Sequence, residues 1–291
     1  MKSQKIICID MGATKVHIGV IQDGVLLKQV KLPTSAHASQ KQVLAEIAAG
    51  VSPLIDEQVA GIGIGVPGLV DEAAGCVYDV VNIPSWQEVP LRTYLEDRFH
   101  IPVYLTNDAN TFVLGEKVYG KAKPYKNVVG ITLGTGMGAG IIINNSLYTG
   151  TLSGAGEFGS IPYLDKTYDA YCGGKFFQQR YGQEGGQMRK SAEAGNKEAI
   201  EAFHEYGQHV GNVVNLILYT LSPEAIFLGG SVSKSFHLYK EAMLECVRAF
   251  PFKRVTARLV IEPSEIDNAA LLGAAALFQL RSADKASATL V

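Results

Sequence analysis

The chain has 291 residues and a mass of 31.2 kDa, enough for one large or two ordinary domains with substantial cores. With 47% hydrophobic and 19% charged residues, its composition is that of a folded globular protein and excludes wholesale disorder. A net charge of −2 excludes a broad basic field of the kind that holds nucleic acid or an anionic membrane. Cys8, Cys76, Cys172 and Cys246 lie far apart with no CxxC pair, and Cys8 falls inside an apolar strand. That spacing speaks against a disulfide framework and for a reducing compartment. The opening Met1-Lys2-Ser3-Gln4-Lys5 leads into too few apolar residues for a signal-peptide core, and no apolar run reaches membrane-spanning length. A cytoplasmic protein with no membrane or nucleic-acid partner is expected.

Lys5-Ile6-Ile7-Cys8-Ile9-Asp10 reads as a strand ending on a carboxylate. Met11-Gly12-Ala13-Thr14-Lys15 reads as a turn, and Val16 to Ile21 as the returning strand. A Walker or Rossmann loop needs a helix to follow, so neither fits here. A small-residue tip with Asp10, Gly12, Thr14 and Lys15 could still offer amides and hydroxyls to phosphate, with Asp10 holding magnesium through water. A plain Asp-x-Gly turn is the competing reading. His17 alternates with apolar neighbours as a sheet residue does. Gln40 to Glu57 shows helical spacing, and Val59 to Val66 is a strand whose small residues permit close backbone approach. Pro67-Gly68-Leu69-Val70-Asp71 turns the chain beyond it. In the loop Val80 to Trp86, Asn82 could bind a polyol with Trp86 beneath it, or the loop is an ordinary turn with an apolar anchor. Pro90 to Phe99 is a short helix.

Ile101 to Leu105 is a short apolar run that reads as a buried strand, and Thr106-Asn107-Asp108-Ala109-Asn110 follows it. Open α/β sheets bind ligands beyond the carboxyl ends of such strands. Asp108 could accept a proton from a substrate hydroxyl and Asn107 could hold a neighbouring one; alternatively both simply cap the helix starting near Ala109.

The second half repeats the plan. Asn127 to Leu133 is a strand, Gly134-Thr135-Gly136-Met137-Gly138-Ala139-Gly140 its turn, and Ile141-Ile142-Ile143 the return. Two such tips suggest a duplicated fold able to hold a nucleotide triphosphate, with Thr132 and Thr135 adding hydroxyls. Glu193 to Leu221 reads as one long helix ended by Pro223. Glu224 to Leu228 is a strand running into Gly229-Gly230, suited to an adenine ring lying on bare backbone or to packing alone. Ala269 to Leu280 is a small-residue helix, and the polar tail from Arg281 to Val291 is expected to fray. The division expected is an N-terminal α/β domain over 1–110, with the helix at about 269–280 packing back on it, and a larger α/β domain over 111–268.

Asp10 to Lys15, Leu105 to Asn110, Leu133 to Gly138, Gly154-Ala155-Gly156-Glu157-Phe158-Gly159 and Leu228 to Ser231 stand together in an order that resembles the ROK family of sugar kinases and sugar-responsive repressors, from about Ile6 to Leu280. The resemblance implies an α/β, actin-like ATPase fold, duplicated, with a ribonuclease-H-like core in each half and an interdomain cleft. It implies ATP- and magnesium-dependent phosphorylation of a hexose or N-acetylhexosamine, often by a homodimer, with glucose the first candidate. By that likeness Asp108 is the general base, and Gly68, Asn82, Asn107 and Glu157 contact sugar. Gly12 to Thr14 and Gly134 to Gly138 clamp phosphate, and Gly229-Gly230 meets adenosine. Phosphoryl transfer needs just this positioning, charge neutralisation and a base, with no covalent enzyme intermediate.

Two departures qualify the resemblance. The family's His after Glu-x-Gly is Ser160 here, and the cysteine-rich zinc loop is missing, so no structural zinc is expected. Asp169 stands where the family has a sugar-binding glutamate, one methylene longer. The alternatives are a catalytically weak sugar sensor or a regulator of this family lacking a DNA-binding domain. Repressors of the family carry a helix-turn-helix ahead of the first hairpin, whereas nine residues precede Asp10.

Overall fold

The computed structural model describes residues 4–12 and 14–288 and divides into two compact units. Of the described residues, the first takes in those up to 123, 147–155 and those from 266 onward; the second takes in 124–146 and 156–265.

The first unit is built on a five-stranded sheet of β1 (Lys5–Met11), β2 (Lys15–Gln22), β3 (Val25–Pro33), β4 (Val59–Val66) and β8 (Val103–Asn107), in the order β3-β2-β1-β4-β8. The first three strands form an antiparallel meander, and β4 and β8 add in parallel to β1. Helix α1 (Gln40–Val51) lies between β3 and β4, and a small sheet of β5 (Leu69–Asp71), β6 (Cys76–Tyr78) and β7 (Glu88–Val89) follows β4. Helices α2 (Leu91–Phe99), α3 (Asp108–Val118) and α10 (Ala269–Ala288) complete the unit.

Alternation in β4 explains how the layers fit. Ile62 and Ile64 enter the apolar core shared with Val43, Ile47 and Trp86. Gly61, Gly63 and Gly65 point the other way, where a side chain would run into Phe278, the Ala274 carbonyl and Thr111 respectively. The same bareness recurs between helices, since a side chain at Gly115 or Gly273 would strike the backbone of Ala269 or Thr111. Backbone therefore rests nearly on backbone, which brings α3 and α10 onto the sheet.

A second five-stranded sheet comprises β9 (Val128–Leu133), β10 (Met137–Ile143), β11 (Ser146–Tyr148), β14 (Ala225–Gly229) and β15 (Val260–Pro263), in the order β11-β10-β9-β14-β15. Its β9 and β10 are antiparallel, while β14 runs parallel to both β9 and β15. The two sheets thus share one strand order, the repetition expected from the paired glycine tips. A hairpin of β12 (Pro162–Tyr163) and β13 (Lys166–Thr167) leads into helices α4 (Tyr168–Cys172), α5 (Lys175–Tyr181) and α6 (Gly185–Glu193). The long α7 (Lys197–Thr220) packs on α8 (Phe236–Arg248), with Gly207 and Gly211 at the contact, and the short α9 (Lys253–Thr256) follows.

Several boundaries differ from expectation for local reasons. The helix expected from Glu193 is broken because Gly195 takes φ +85° and the Asn196 side chain caps α7 by accepting from the Ala199 amide at 3.0 Å. Helix α1 ends at Val51 and gives way to a 3₁₀ turn over Ser52–Leu54 containing Pro53. The first unit reaches 123 instead of 110 because α3 packs on α10. Helix α10 continues to Ala288, and Arg281, expected in a fraying tail, is anchored to Glu72 at 2.6 Å; residues 289–291 lie outside the described residues. All four cysteines are unpaired. No helix among the described residues is long and apolar enough to cross a membrane.

Candidate active site

In the first unit, Asp10, Gly65 and Thr106 lie side by side across β1, β4 and β8. Asp10 and the β8–α3 junction therefore share the carboxyl edge of the sheet, about two strand spacings or ~10 Å apart. Burial raises the Asp10 carboxyl to about 6, with the Lys15 ammonium pulling it back down. A carboxylate desolvated in this way gains from a nearby cation. The tip beyond it is braced from within: the Gly12 amide donates to the Lys15 carbonyl at 2.9 Å, and the Thr34 hydroxyl donates to the Gly12 carbonyl at 2.9 Å. Thr34 also donates its amide to Thr14, so Thr14 and Lys15 stand exposed on a held turn. Ala13 is outside the described residues.

At the far end of the same edge, Asn107 closes β8 and Asp108 opens α3. The Ala109 amide donates to both the Asn107 and Asp108 side chains at 2.9 Å, so the capping role read from sequence is present. Capping leaves chemistry open, because a carboxylate accepts through both oxygens and at several lone pairs. Asn107 also donates to the Gly68 carbonyl at 3.2 Å, which ties the turn after β4 to the junction. Gly68 itself has φ +89°, a conformation that favours glycine. Asn82 is exposed in the turn closed by the Ile83 amide on the Val80 carbonyl. Trp86 is fully buried in the core, the anchor rather than a platform for ligand.

The second unit offers a different surface. Thr132 lies between Gly138 on β10 and Gly229 on β14, so the β9–β10 tip and the Gly229-Gly230 turn are neighbours. Nothing stands within 4 Å of where a side chain on Gly134 would be, whereas one on Gly230, at φ +86°, would strike the Leu133 backbone. The tip is locked by three bonds: Gly134 amide to Gly136 carbonyl at 2.9 Å, Gly174 amide to Gly134 carbonyl at 2.7 Å, and Met137 amide to the Asp169 carboxylate at 2.7 Å. Thr135 is exposed between them. Asp169, expected against sugar, thus has one oxygen on the hairpin. Glu157 is exposed and accepts from the Ser160 hydroxyl at 3.3 Å.

A scan against family models matches residues 6–281 to the ROK family. The chain belongs to that family. The glucokinase of Thermotoga maritima is 28% identical, covering 97% of this chain and 99% of its own. The xylose repressor of Bacillus subtilis is 28% identical over 73% of this chain, which spans only 59% of the repressor. Among solved structures, a ROK family glucokinase from Streptomyces griseus in complex with glucose and AMPPNP superposes with a TM-score of 0.82 at 27% identity, covering 93% of this chain and 97% of that one. The fold of this ROK chain is the actin-like ATPase fold.

In the segment where the sequence lacks the family's cysteine-rich loop, this chain has the β12–β13 hairpin. Tyr163 stacks on Tyr168 with ring centres 4.2 Å apart, and its hydroxyl meets His209 Nδ1 at 3.1 Å and accepts from Asn212 at 3.0 Å. Aromatic packing and hydrogen bonds hold this segment. Burial pushes the nearby Cys172 thiol up, the opposite of an activated thiolate. Among the described residues, no three or more His, Cys, Asp and Glu side chains gather to hold a metal ion.

Sequence reasoning missed Thr34, Gly173-Gly174 and the group of Glu72, Thr106, Ser153 and Arg281 described below. Gly173-Gly174 carried a signal, since paired glycines mark close backbone approach. The others are ordinary polar residues distinguished only by the fold.

Proposed function

We propose that this chain is a sugar kinase, transferring the γ-phosphoryl group of ATP to a hexose hydroxyl with magnesium, glucose being the first candidate and fructose, mannose, allose or an N-acetylhexosamine the others. The observation that carries the reading is Asp108, a carboxylate at the first residue of α3 on the same sheet edge as the braced Asp10 turn. Family membership and the relatives named glucokinase support it.

The residues fit the groups such a reaction needs. Magnesium keeps several waters and takes one or two carboxylates besides phosphate oxygens, and Asp10 suits that demand. When bound, the ion neutralises charge on the phosphates. The tip of Gly134, Thr135, Gly136 and Gly138 offers phosphate the exposed Thr135 hydroxyl and the open space over Gly134, the turn of Gly12, Thr14 and Lys15 offers its exposed hydroxyl and ammonium, and Gly229-Gly230 leaves bare backbone for adenosine. Asn107, Gly68 and Asn82 orient the sugar; Glu157 has the same role by family resemblance alone. Asp108 accepts the proton of the attacking hydroxyl as that oxygen bonds to phosphorus and the bond to the leaving ADP oxygen breaks, so the proton ends on the Asp108 carboxyl. A homodimer is the expected assembly.

A coupled ADP-release screen over hexoses and N-acetylhexosamines with ATP and magnesium tests this, and turnover of one sugar is the expected result. Sugar binding without turnover across the whole panel would overturn it in favour of a sensor.

A further inference from the structure

Behind the β8–α3 junction the first unit contains a hydrogen-bonded chain that neither capping nor phosphate binding uses. Arg281, on the last turns of α10, donates through Nη2 to Glu72 Oε2 at 2.6 Å, across 209 positions of sequence. The other oxygen of Glu72 accepts from the Thr106 hydroxyl at 2.5 Å and from the Ser153 hydroxyl at 3.3 Å. Thr106 in turn accepts from the Asn110 side-chain amide at 3.1 Å. Thr106 and Asn110 are both wholly buried, and the Glu72 side chain is only 18% exposed.

The geometry gives this chain a direction. Thr106 and Asn110 flank Asn107 and Asp108, so their side-chain bond closes a bridge over the bend from strand to helix. A hydroxyl has one proton to donate, and the Glu72 carboxylate takes it, which leaves the oxygen's lone pairs for Asn110. Arg281 and Ser153 fix the carboxylate from other sides, and Arg92 fixes the backbone beneath it by donating to the Glu72 and Ala73 carbonyls and, through Nε, to Val103 at 3.1 Å. A paired, largely buried carboxylate with its lone pairs occupied is a rigid post; the same carboxylate without its cation is a buried charge seeking another partner.

We propose that Arg281, Glu72 and Thr106 are positioning residues that set the pose of Asp108 from the C-terminal helix. The proposal rests on the kinase reading for its consequence in turnover, and on the hydrogen-bonded chain alone for its consequence in local rigidity. Catalytic carboxylates are sensitive to small displacements, since a shift of about 1 Å costs on the order of 100-fold in rate.

Two arms test it. In the first, steady-state kinetics are measured on the sugar found by the screen. Thr106→Val is expected to lower kcat by about 30-fold with sugar KM within about threefold, while Thr106→Ser, which keeps the hydroxyl, stays near wild type. Arg281→Met is expected to lower kcat by about tenfold, and the double variant to be no slower than Thr106→Val alone, because both break one chain. Thr106→Ser as slow as Thr106→Val, or losses that multiply, would overturn the proposal. In the second arm, amide hydrogen exchange is followed in Arg281→Met. Faster exchange is expected at residues 109–111, with α2 unchanged; unaltered exchange at 109–111 overturns the proposal even if the screen finds no substrate. A wild-type protein inactive on every sugar, yet loosened at 109–111 by Arg281→Met, sinks the kinase reading and leaves the positioning chain standing.

Discussion

The two sheets have the same strand order, but the first hairpin of each ends in a different kind of surface. In the first unit the edge carries charge: Asp10, raised by burial to about 6, with Lys15 beside it and Asp108 two strands away. In the second unit the corresponding edge is almost bare backbone, with Gly134 open and Gly136, Gly173 and Gly174 packed too closely for side chains. The Asp169 carboxylate beside it is a brace on the Met137 amide. One topology thus presents charged side chains in one copy and bare backbone in the other. On the kinase reading proposed above, that division suits a reaction in which one partner must lose a proton and the other must be gripped by its oxygens.

Substitutions that affect the two edges differently sharpen this contrast. The largest expected effect is at the charged edge: Asp108→Asn should reduce kcat by about 10²–10⁴-fold, with sugar affinity by calorimetry little changed. Unchanged kcat would remove Asp108 from the role of base. At the backbone edge, Gly230→Ala should weaken binding of a non-hydrolysable ATP analogue by about tenfold, since a residue with φ +86° and a side chain against Leu133 is strained by roughly 1–3 kcal/mol. Asp169→Ala should act in the same direction by freeing the Met137 amide, and calorimetry without sugar measures both. A comparable loss of sugar affinity with nucleotide affinity intact would reverse the assignment of Asp169. Smaller still, Asn107→Ala should cost about 1 kcal/mol in urea unfolding through the lost cap.

The smallest effect concerns pH. Burial lowers the pKa of His17 and of His209 below the ordinary histidine value, His17 despite its 2.8 Å bond to Gln29 and with Lys15 and Lys31 reinforcing the shift. The unfolded chain therefore binds protons more readily than the folded one just below that value. Their contribution to stability is present above about pH 6.5 and is lost as pH falls through the lowered folded values. Asp10, raised to about 6, acts in the opposite sense and favours the folded state as pH falls, so the histidine contribution is read as a difference. Between about pH 7.5 and 5.5 the urea midpoint of His17→Gln should fall less, or rise more, than that of the unsubstituted chain.

Much of this organisation was legible in the residues. The glycine-containing turns after Asp10 and Leu133 announced two hairpins, because few other compositions turn an apolar strand back on itself so tightly. The alternation of Val59 to Val66 announced close approach on one face, though only the fold shows that α3 and α10 are what approaches. Asn107 and Asp108 were legible as a strand end with two competing uses, and the capping bonds occupy only part of their capacity. The break at Gly195 was legible in principle, since Gly-Asn is a helix stop followed by a cap; the strong periodicity on both sides concealed it. Thr106, Glu72 and Arg281 were not legible, because a hydrogen bond spanning 209 positions leaves no local pattern.

The bare face of β4 has a consequence for tolerated change in α10. That helix is seated by notches at Gly115 and Gly273 that admit no side chain, so its rotation is fixed at one end. Each residue advances an α-helix by about 100°, so one residue inserted between Ala274 and Arg281 would carry the guanidinium a quarter-turn or more away from Glu72. Deletions there would do the same in the opposite sense. Length in this segment is therefore a phase requirement, and homologous chains should vary in the composition of its outer face far more freely than in its residue count.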